Sequence, residues 1–279
     1  MRYNRHGVAY YYTWLNDHQS SRPTLLCLHG FTGTSETFRQ IAEEIPEYNL
    51  LAIDLIGHGQ TESLVHPYRY QLTSLIQDLK GLMDHLNLTS FALLGYSMGA
   101  RVALSFALTY PESITHLILE SGSPGLSTDV ARQQRRNSDL KLAQKLLNSP
   151  IAEFVKCWEQ LPLFASQKRL GHTIQLKIKN ERLHQSAFGL ATSLWGMGTG
   201  SQPNYWPQLS DLNKMPLLLI TGSEDPKFQE IAGKMVALQP SITSQTIELA
   251  GHAVHLEQPQ LFASSLKQWL KGETLNETH

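Results

Sequence analysis

The protein is a chain of 279 residues, of which 41% are apolar and 17% charged, and its formal net charge is −1 at pH 7. This composition is typical of a soluble globular protein and excludes collagen, coiled coils and intrinsic disorder. Because a basic excess is lacking, we expect no nucleic-acid partner, and because no run of 18 apolar residues occurs, we expect no membrane span.

The first residues and the two cysteines indicate the compartment. The polar N-terminus, 1–6, has no apolar segment behind it, so we expect no signal peptide. Cys27 lies in a strand-like apolar run and Cys157 lies far away in the chain, which favours a reduced core thiol over a disulfide. We therefore expect a cytoplasmic protein. The sequence leaves open whether it is a monomer or a dimer.

Short apolar runs alternate with amphipathic stretches along the chain. The tyrosine-rich segment 7–14 predicts an antiparallel edge hairpin, and the later runs predict strands that are covered on both faces, because their apolar character is continuous. These runs cover 25–29, 50–54, 91–95, 117–120, 217–221 and 246–249. Predicted helices cover 71–88, 98–110, 228–238 and 259–270. This alternation predicts an α/β fold with a mostly parallel sheet.

Residues 127–208 interrupt the alternation with several helical stretches and no strand-like run. We predict a core of 1–126 and 209–279 and a helical lid of 127–208, because ligands bind beyond the carboxyl ends of the strands in open α/β sheets. Between 127 and 182 there are eleven Lys or Arg against five Asp or Glu, a local charge of +6. This charge predicts a lid that attracts an anionic substrate, although exposed helices are often basic as well.

The strongest motif is Gly95-Tyr-Ser-Met-Gly99, which lies between an apolar run and an alanine-rich helical stretch. It is a nucleophile elbow in its required strand–turn–helix context, with Ser97 as the nucleophile. The N-terminus of the following helix favours negative charge there. The loop His29-Gly-Phe-Thr-Gly33 follows an earlier strand, so the amides of Phe31 and Met98 are the candidate oxyanion-hole donors. An ordinary glycine-rich turn is the alternative for that loop.

A serine hydroxyl is a weak nucleophile or base unless a histidine activates it. His252 follows the last strand-like run, which is the expected place in the order serine, acid, histidine. His255 competes with it. His29 and His58 lie in glycine turns and are interpreted as structural.

The acid that orients the histidine is predicted to be Asp225, just past the strand 217–221. Glu224 and Glu120 are the alternatives, and Asp54 is interpreted as a turn-forming residue. We find no cluster with metal-ligand spacing and no glycine-rich phosphate-binding motif. We therefore expect no metal and no cofactor.

The nucleophile elbow, the loop at His29, Asp225 and His252 make the chain resemble the α/β-hydrolase superfamily, and the resemblance extends over nearly its full length. Within it, the chain resembles the 2-succinyl-6-hydroxy-2,4-cyclohexadiene-1-carboxylate synthases of menaquinone and phylloquinone biosynthesis. The stretches that carry this second resemblance are Gly95–Arg101, Glu120–Leu126, Gly196–Pro203 and Asp225–Phe228. The resemblance implies an α/β-hydrolase fold, with a mostly parallel eight-stranded sheet, helices on both faces and a helical lid insertion.

The resemblance also implies a lyase that eliminates pyruvate from a small polycarboxylate substrate. Ser97, activated by His252 and Asp225, would then abstract a ring proton and would not form an ester. The substrate contacts that it implies are Tyr96, Arg101, Arg135, Trp158 and, where the family has a third arginine, Lys179. The alternatives are a structural ion pair for Arg101, an exposed helix charge for Arg135, and packing within the lid for Trp158.

Two other functions use the same fold. A serine hydrolase (a carboxylesterase, thioesterase or C–C bond hydrolase) has the same triad, and the triad alone does not separate it from the lyase. Arg101, the basic lid and the stretch Asp225–Phe228 favour the lyase. A non-catalytic binding protein usually lacks a triad residue, whereas all three are present here.

Overall fold

The computed structural model describes residues 1–272, so the last part of the predicted core, 273–279, lies outside the described residues. The strands within 1–272 are β1 (Arg2–Arg5), β2 (Val8–Trp14), β3 (Thr24–Leu28), β4 (Asn49–Ile53), β5 (Phe91–Tyr96), β6 (Ile114–Glu120), β7 (Leu217–Gly222) and β8 (Thr243–Ile247). They form one sheet in the order β1-β2-β4-β3-β5-β6-β7-β8. β2 is antiparallel to β1 and β4, and the other pairs are parallel. The predicted α/β fold with an antiparallel edge is thus confirmed.

Helices cover both faces of this sheet. In the described part of the chain they are α1 (Arg39–Glu44), α2 (Leu72–His85), α3 (Met98–Thr109), α4 (Asp129–Asn148), α5 (Ile151–Trp158), α6 (His172–Leu183), α7 (Ala187–Met197), α8 (Pro226–Leu238), α9 (Val254–Glu257) and α10 (Pro259–Leu270). On β3, Leu26 and Leu28 pack in the apolar cluster that includes α2, α3 and α8, while Leu25 and Cys27 pack with α1, α9 and α10. Because successive side chains point to opposite faces and both faces are covered, the central strands need the continuous apolar runs seen in the sequence.

The structure differs from the prediction at both edges of the sheet. β8 ends at Ile247, and Leu249, which the prediction placed in the strand, is exposed and has φ 57°. β1 consists of polar residues that are exposed or half-buried, so it carries no apolar signal. Edge strands have a solvated side, which weakens the apolar pattern on which the prediction depends.

Four helices, α4 to α7, lie between β6 and β7 in the segment predicted to be a lid. They contain an apolar cluster of their own, which includes Leu146, Phe154 and Leu190. Phe31, at the carboxyl end of β3, packs against this cluster, so the insertion lies over the end of the sheet where ligands bind in α/β folds. The boundaries 127 and 208 stay a prediction. Within residues 1–272, every helix is too short or too polar to cross a membrane.

Candidate active site

The turn between β5 and α3 holds Ser97 in a strained conformation. Its φ of 52° and ψ of −103° lie where residues other than glycine are rare, and its amide donates a hydrogen bond to the Glu120 carbonyl at 2.9 Å. A Cβ at Gly95 would lie 2.4 Å from the carbonyl oxygen of Gly99, and one at Gly99 would lie 2.0 Å from that of Leu28. Both glycines of the motif are therefore required by the close approach of backbone atoms.

The structure brings the three predicted triad residues together. Ser97 Oγ lies 2.9 Å from His252 Nε2, and His252 Nδ1 lies 2.7 Å from Asp225 Oδ2. The side chains of His252 and Asp225 are 2% and 4% exposed. Asp225 also caps α8, since its carboxylate accepts a hydrogen bond from the Phe228 amide at 3.4 Å. An Nδ1–H bonded to the aspartate leaves Nε2 as the acceptor for the serine proton.

The competing acids and histidine are occupied elsewhere. His255 Nδ1 lies 2.8 and 2.7 Å from the two carboxylate oxygens of Glu120, and both side chains are fully buried. Glu224 accepts hydrogen bonds from Arg169, at 2.7 Å, on the surface of the molecule. The Asp54 carboxylate accepts hydrogen bonds from two backbone amides, at 2.6 and 2.8 Å, as a turn-forming residue does.

The candidate oxyanion hole lies between the loop after β3 and the start of α3. Phe31 and Met98 both line the cavity in which Ser97 lies, and neither amide donates a hydrogen bond within residues 1–272. His29 supports this loop, because its Nε2 accepts a hydrogen bond from the Leu55 amide at 2.9 Å. Burial lowers the pKa of His29, and it lowers the pKa of His58 to about 3. These two histidines are therefore neutral structural residues.

Ser97 opens into a cavity of about 200 Å³. Of the predicted substrate contacts, Tyr96, Arg101, Arg135 and Trp158 line it. The Trp158 indole stacks on Phe154 with ring centroids 5.4 Å apart, and its N–H is buried and has no partner within the described chain. Trp158 thus takes part in both the packing of the insertion and the cavity wall. Burial raises the pKa of Tyr96, so its hydroxyl keeps its proton.

Three cations converge on this cavity. The Arg101 guanidinium donates to the Met197 carbonyl at 3.0 Å, but its Nε is buried and unpartnered, and no carboxylate within residues 1–272 forms an ion pair with it. Arg135 Nε lies 2.8 Å from Asp139 Oδ1. Burial and the neighbouring Arg135 lower the pKa of Arg101 to about 10, and burial followed by Arg135 lowers that of Lys227. This excess of positive charge predicts an anionic ligand.

The structure places Lys179 away from this cavity. Lys179 lines a second cavity, inside the insertion, together with Arg182. Phe164 lines both cavities, and the buried Arg182 guanidinium lies 4.9 Å from the centroid of its ring. Besides the two arginines, Lys227 lines the cavity that contains Ser97, a position that the sequence did not reveal. The sequence feature that pointed to Lys227 was its place in the stretch Asp225–Phe228, which resembles the family.

The fold and the triad define an enzyme of the α/β-hydrolase class, and residues 23–259 match the family model of the alpha/beta hydrolase fold. The chain belongs to that family. More narrowly, it belongs to the 2-succinyl-6-hydroxy-2,4-cyclohexadiene-1-carboxylate synthases.

The narrower family rests on sequence identity over nearly complete chains. The chain is 41% identical to a Bacillus subtilis (strain 168) protein provisionally given that name, over 93% of this chain and 94% of that protein. It is 30% identical to the synthase of Serratia proteamaculans (strain 568), over 92% and 96%. The solved structure of MenH from S. aureus superposes with a TM-score of 0.87 at 36% identity, over 94% of this chain and 98% of that chain.

Proposed function

We propose that this chain eliminates pyruvate from 2-succinyl-5-enolpyruvyl-6-hydroxy-3-cyclohexene-1-carboxylate and releases 2-succinyl-6-hydroxy-2,4-cyclohexadiene-1-carboxylate. The observation that carries the proposal is the position of the Ser97–His252 hydrogen bond, 2.9 Å long, in a cavity that three cations face. The names of the relatives support the same reaction. A polycarboxylate needs such cations, whereas an ester of a neutral acid does not.

The elimination carries one ring proton, by way of Ser97 and His252, to the leaving group while the bonding electrons of the ring shift toward that group. His252 Nε2 takes the hydroxyl proton of Ser97, and Ser97 Oγ removes a proton from a ring carbon next to the succinyl carbonyl. The electron pair of the broken C–H bond forms a new ring double bond, the existing double bond shifts by one position, and the electron pair of the C–O bond leaves with the enolpyruvyl oxygen. The departing enolate receives the proton held by His252 and tautomerises to pyruvate. The ring gains a second double bond, and neither water nor an acyl-enzyme takes part.

The negative charge that develops on the succinyl carbonyl needs a donor. We assign this task to the amides of Phe31 and Met98, which have no other hydrogen-bond acceptor in the described part of the chain. Preorganised donors of this kind act where the charge develops, and removal of one costs on the order of 10²–10³ in rate. The N-terminal end of α3 adds a field of the same sign.

The carboxylates of the substrate are assigned to Arg101, Arg135 and Lys227. A guanidinium suits a carboxylate because it donates two parallel hydrogen bonds. Arg101 has a buried Nε without a hydrogen-bond partner, and no carboxylate of residues 1–272 lies within ion-pair distance of it, although Asp139 acts on it at longer range. These observations favour a substrate contact over the structural ion pair. Tyr96 and Trp158 are proposed to form the walls that orient the ring.

Release of pyruvate from the enolpyruvyl-bearing substrate tests this function. The purified chain should release pyruvate, and Ser97→Ala should abolish the release while the protein remains folded. A p-nitrophenyl ester, assayed in parallel, should be hydrolysed slowly or not at all. Rapid ester hydrolysis without pyruvate release would assign the chain to the serine hydrolases. Failure of a fluorophosphonate to label Ser97 would indicate a binding protein.

Two further expectations extend the proposal. We propose that 127–208 acts as a lid over the cavity, which the separate apolar cluster of the insertion supports. We also propose a cytoplasmic location, which is supported by two free thiols, one of them, Cys157, on the surface.

A further inference from the structure

The loop that presents the Phe31 amide contains a strained residue. Thr32 has φ 70° and is only 4% exposed. A β-branched residue rarely adopts this left-handed conformation, which persists only when surrounding contacts hold it. The Gly30 carbonyl, which shares a peptide unit with the Phe31 N–H, accepts a hydrogen bond from the Gly33 amide at 3.0 Å. Because this turn closes across Thr32, contacts that hold Thr32 and Gly33 also act on the direction of the Phe31 N–H.

A buried side chain of the insertion is hydrogen-bonded to this loop. Gln185, in the link between α6 and α7, donates from Nε2 to the carbonyl oxygens of Thr32 and Gly33 at 3.2 and 3.3 Å. Its Oε1 accepts a hydrogen bond from the Gly59 amide at 3.0 Å. Gln185 is 6% exposed, so its amide group joins the oxyanion loop to the loop after β4 with water largely excluded.

A second contact, one helical turn earlier, strengthens the same attachment. The carboxylate of Glu181 on α6 accepts hydrogen bonds from the hydroxyls of Thr34 and Thr37 at 2.5 and 3.4 Å. These threonines follow the oxyanion loop directly. The last turn of α6 and the link after it therefore form a bracket on the loop. Within the loop itself, His29 Nε2 accepts a hydrogen bond from the Leu55 amide, and its Nδ1 lies 2.8 Å from the Gly30 carbonyl oxygen.

We propose that Gln185 is a positioning residue of the oxyanion hole, so that the hole has its active geometry only when the insertion is seated on the core. The proposal rests on the proposed function in that it uses the same hole. It adds that the insertion, besides covering the cavity, sets the direction of the Phe31 amide. Gln185 itself does not line the catalytic cavity, so it acts through the loop.

The experiment measures the rate constant for labelling of Ser97 by a fluorophosphonate, in addition to pyruvate release. Phosphonylation also places a negative oxygen in the hole, so this rate constant reports the hole whatever the natural substrate is. Gln185→Ala should label at least tenfold more slowly, and at most 10²–10³-fold, which is the cost of losing a whole donor. The kcat for pyruvate release should fall by a similar factor with KM within about twofold, since the hole acts on the transition state.

Two variants separate positioning from folding. Gln185→Glu keeps the size of the side chain but replaces the donor with a carboxylate that faces two carbonyl oxygens, so it should label as slowly as Gln185→Ala. His184→Ala, at the neighbouring exposed position, should label at the wild-type rate. Thermal unfolding of each variant shows whether it is folded at the assay temperature.

The labelling rates and pyruvate release together distinguish a failure of the Gln185 proposal from a failure of the proposed function. Wild-type labelling rates in both Gln185 variants would overturn the positioning role. Slow labelling of the variants, combined with a wild-type chain that releases no pyruvate, would support the positioning role and overturn the proposed function. An equally slow His184→Ala variant would indicate a general disturbance of the insertion and would also overturn the specific role of Gln185.

Discussion

Replacement of Arg101 by methionine should make the protein more stable and much less active. Burial and Arg135 lower the pKa of the Arg101 guanidinium from 12.5 to about 10. At 1.36 kcal/mol for each tenfold change in the ionisation constant, the charged form costs the folded state about 3 kcal/mol. A cation with a depressed pKa carries this cost in full at any pH well below 10, and the cost is relieved as the pH rises through 10.

Removal of the buried charge should therefore stabilise the protein, but the loss of the Arg101 hydrogen bond offsets part of this stabilisation. Its bond to the Met197 carbonyl, 3.0 Å long, contributes about 1 kcal/mol, so Arg101→Met should raise the free energy of unfolding by about 2 kcal/mol at pH 7. In the complex, loss of the guanidinium leaves a buried substrate carboxylate unpaired. This costs about 2–5 kcal/mol, which lowers kcat/KM by about 30- to 5,000-fold.

Urea unfolding at pH 7 and pyruvate release measure the two effects on the same preparations. Arg136→Met provides the control, because Arg136 is an exposed arginine on α4 that bonds to Gly200 and Gln133 outside the Ser97 cavity. It should change neither quantity appreciably. If Arg101→Met keeps wild-type kcat/KM, the cation does not bind substrate. If the variant instead loses stability, the guanidinium is a structural residue and the charge argument is wrong.

Three other predictions concern the triad, the insertion and the third cation. Asp225→Asn should lower kcat on the order of 10⁴-fold by favouring the wrong tautomer of His252. Glu120→Gln should instead reduce the free energy of unfolding by about 1–3 kcal/mol and leave kcat nearly unchanged. The reverse pattern would make Glu120 the catalytic acid. Burial raises the pKa of Glu181, so its charged form costs stability at neutral pH, and this cost vanishes as the pH falls below the ordinary range of a glutamate. Glu181→Gln should therefore keep or raise the unfolding temperature at pH 7.5 and lose that advantage at pH 4. A large fall in the unfolding temperature at pH 7.5 would contradict this prediction. Burial lowers the pKa of Lys227, so the KM of the wild type should begin to rise with pH below the ordinary range of a lysine. Lys227→Gln should raise KM at pH 7 and make KM independent of pH in that range. An unchanged KM would show that Lys227 does not contact the substrate.

The sequence predicted which side chains meet at the site because their positions depend on local structure. The elbow around Ser97 needs glycines at fixed spacing, and the structure shows the backbone contacts that a side chain there would violate. Asp225 and His252 follow strands β7 and β8 directly, so chain order placed them near the serine. The choice among several histidines and acids also depended on that order, and it agrees with the observed hydrogen bonds.

The cations around the Ser97 cavity were predicted less well. The excess of Lys and Arg indicated an anionic ligand, but it did not show which cations face the cavity. Lys179 and Lys227 are the same residue type, yet the first lies in another cavity and the second faces Ser97. The direction in which a side chain on an amphipathic helix points depends on how that helix packs, and neither the spacing nor the local sequence determines this.

By itself, the sequence determined the layered α/β fold and the helical nature of the insertion, and it predicted Ser97, Asp225 and His252 as the candidate triad, because each follows from short-range periodicity or from turns with strict steric demands. Tertiary structure alone decided that the Arg101 guanidinium donates to the Met197 carbonyl, that Lys227 joins it at the cavity, and that Gln185 reaches the loop of Phe31 across more than 150 positions of the chain. These features depend on contacts between segments that are distant in the chain, and such contacts exist only after the insertion packs on the sheet.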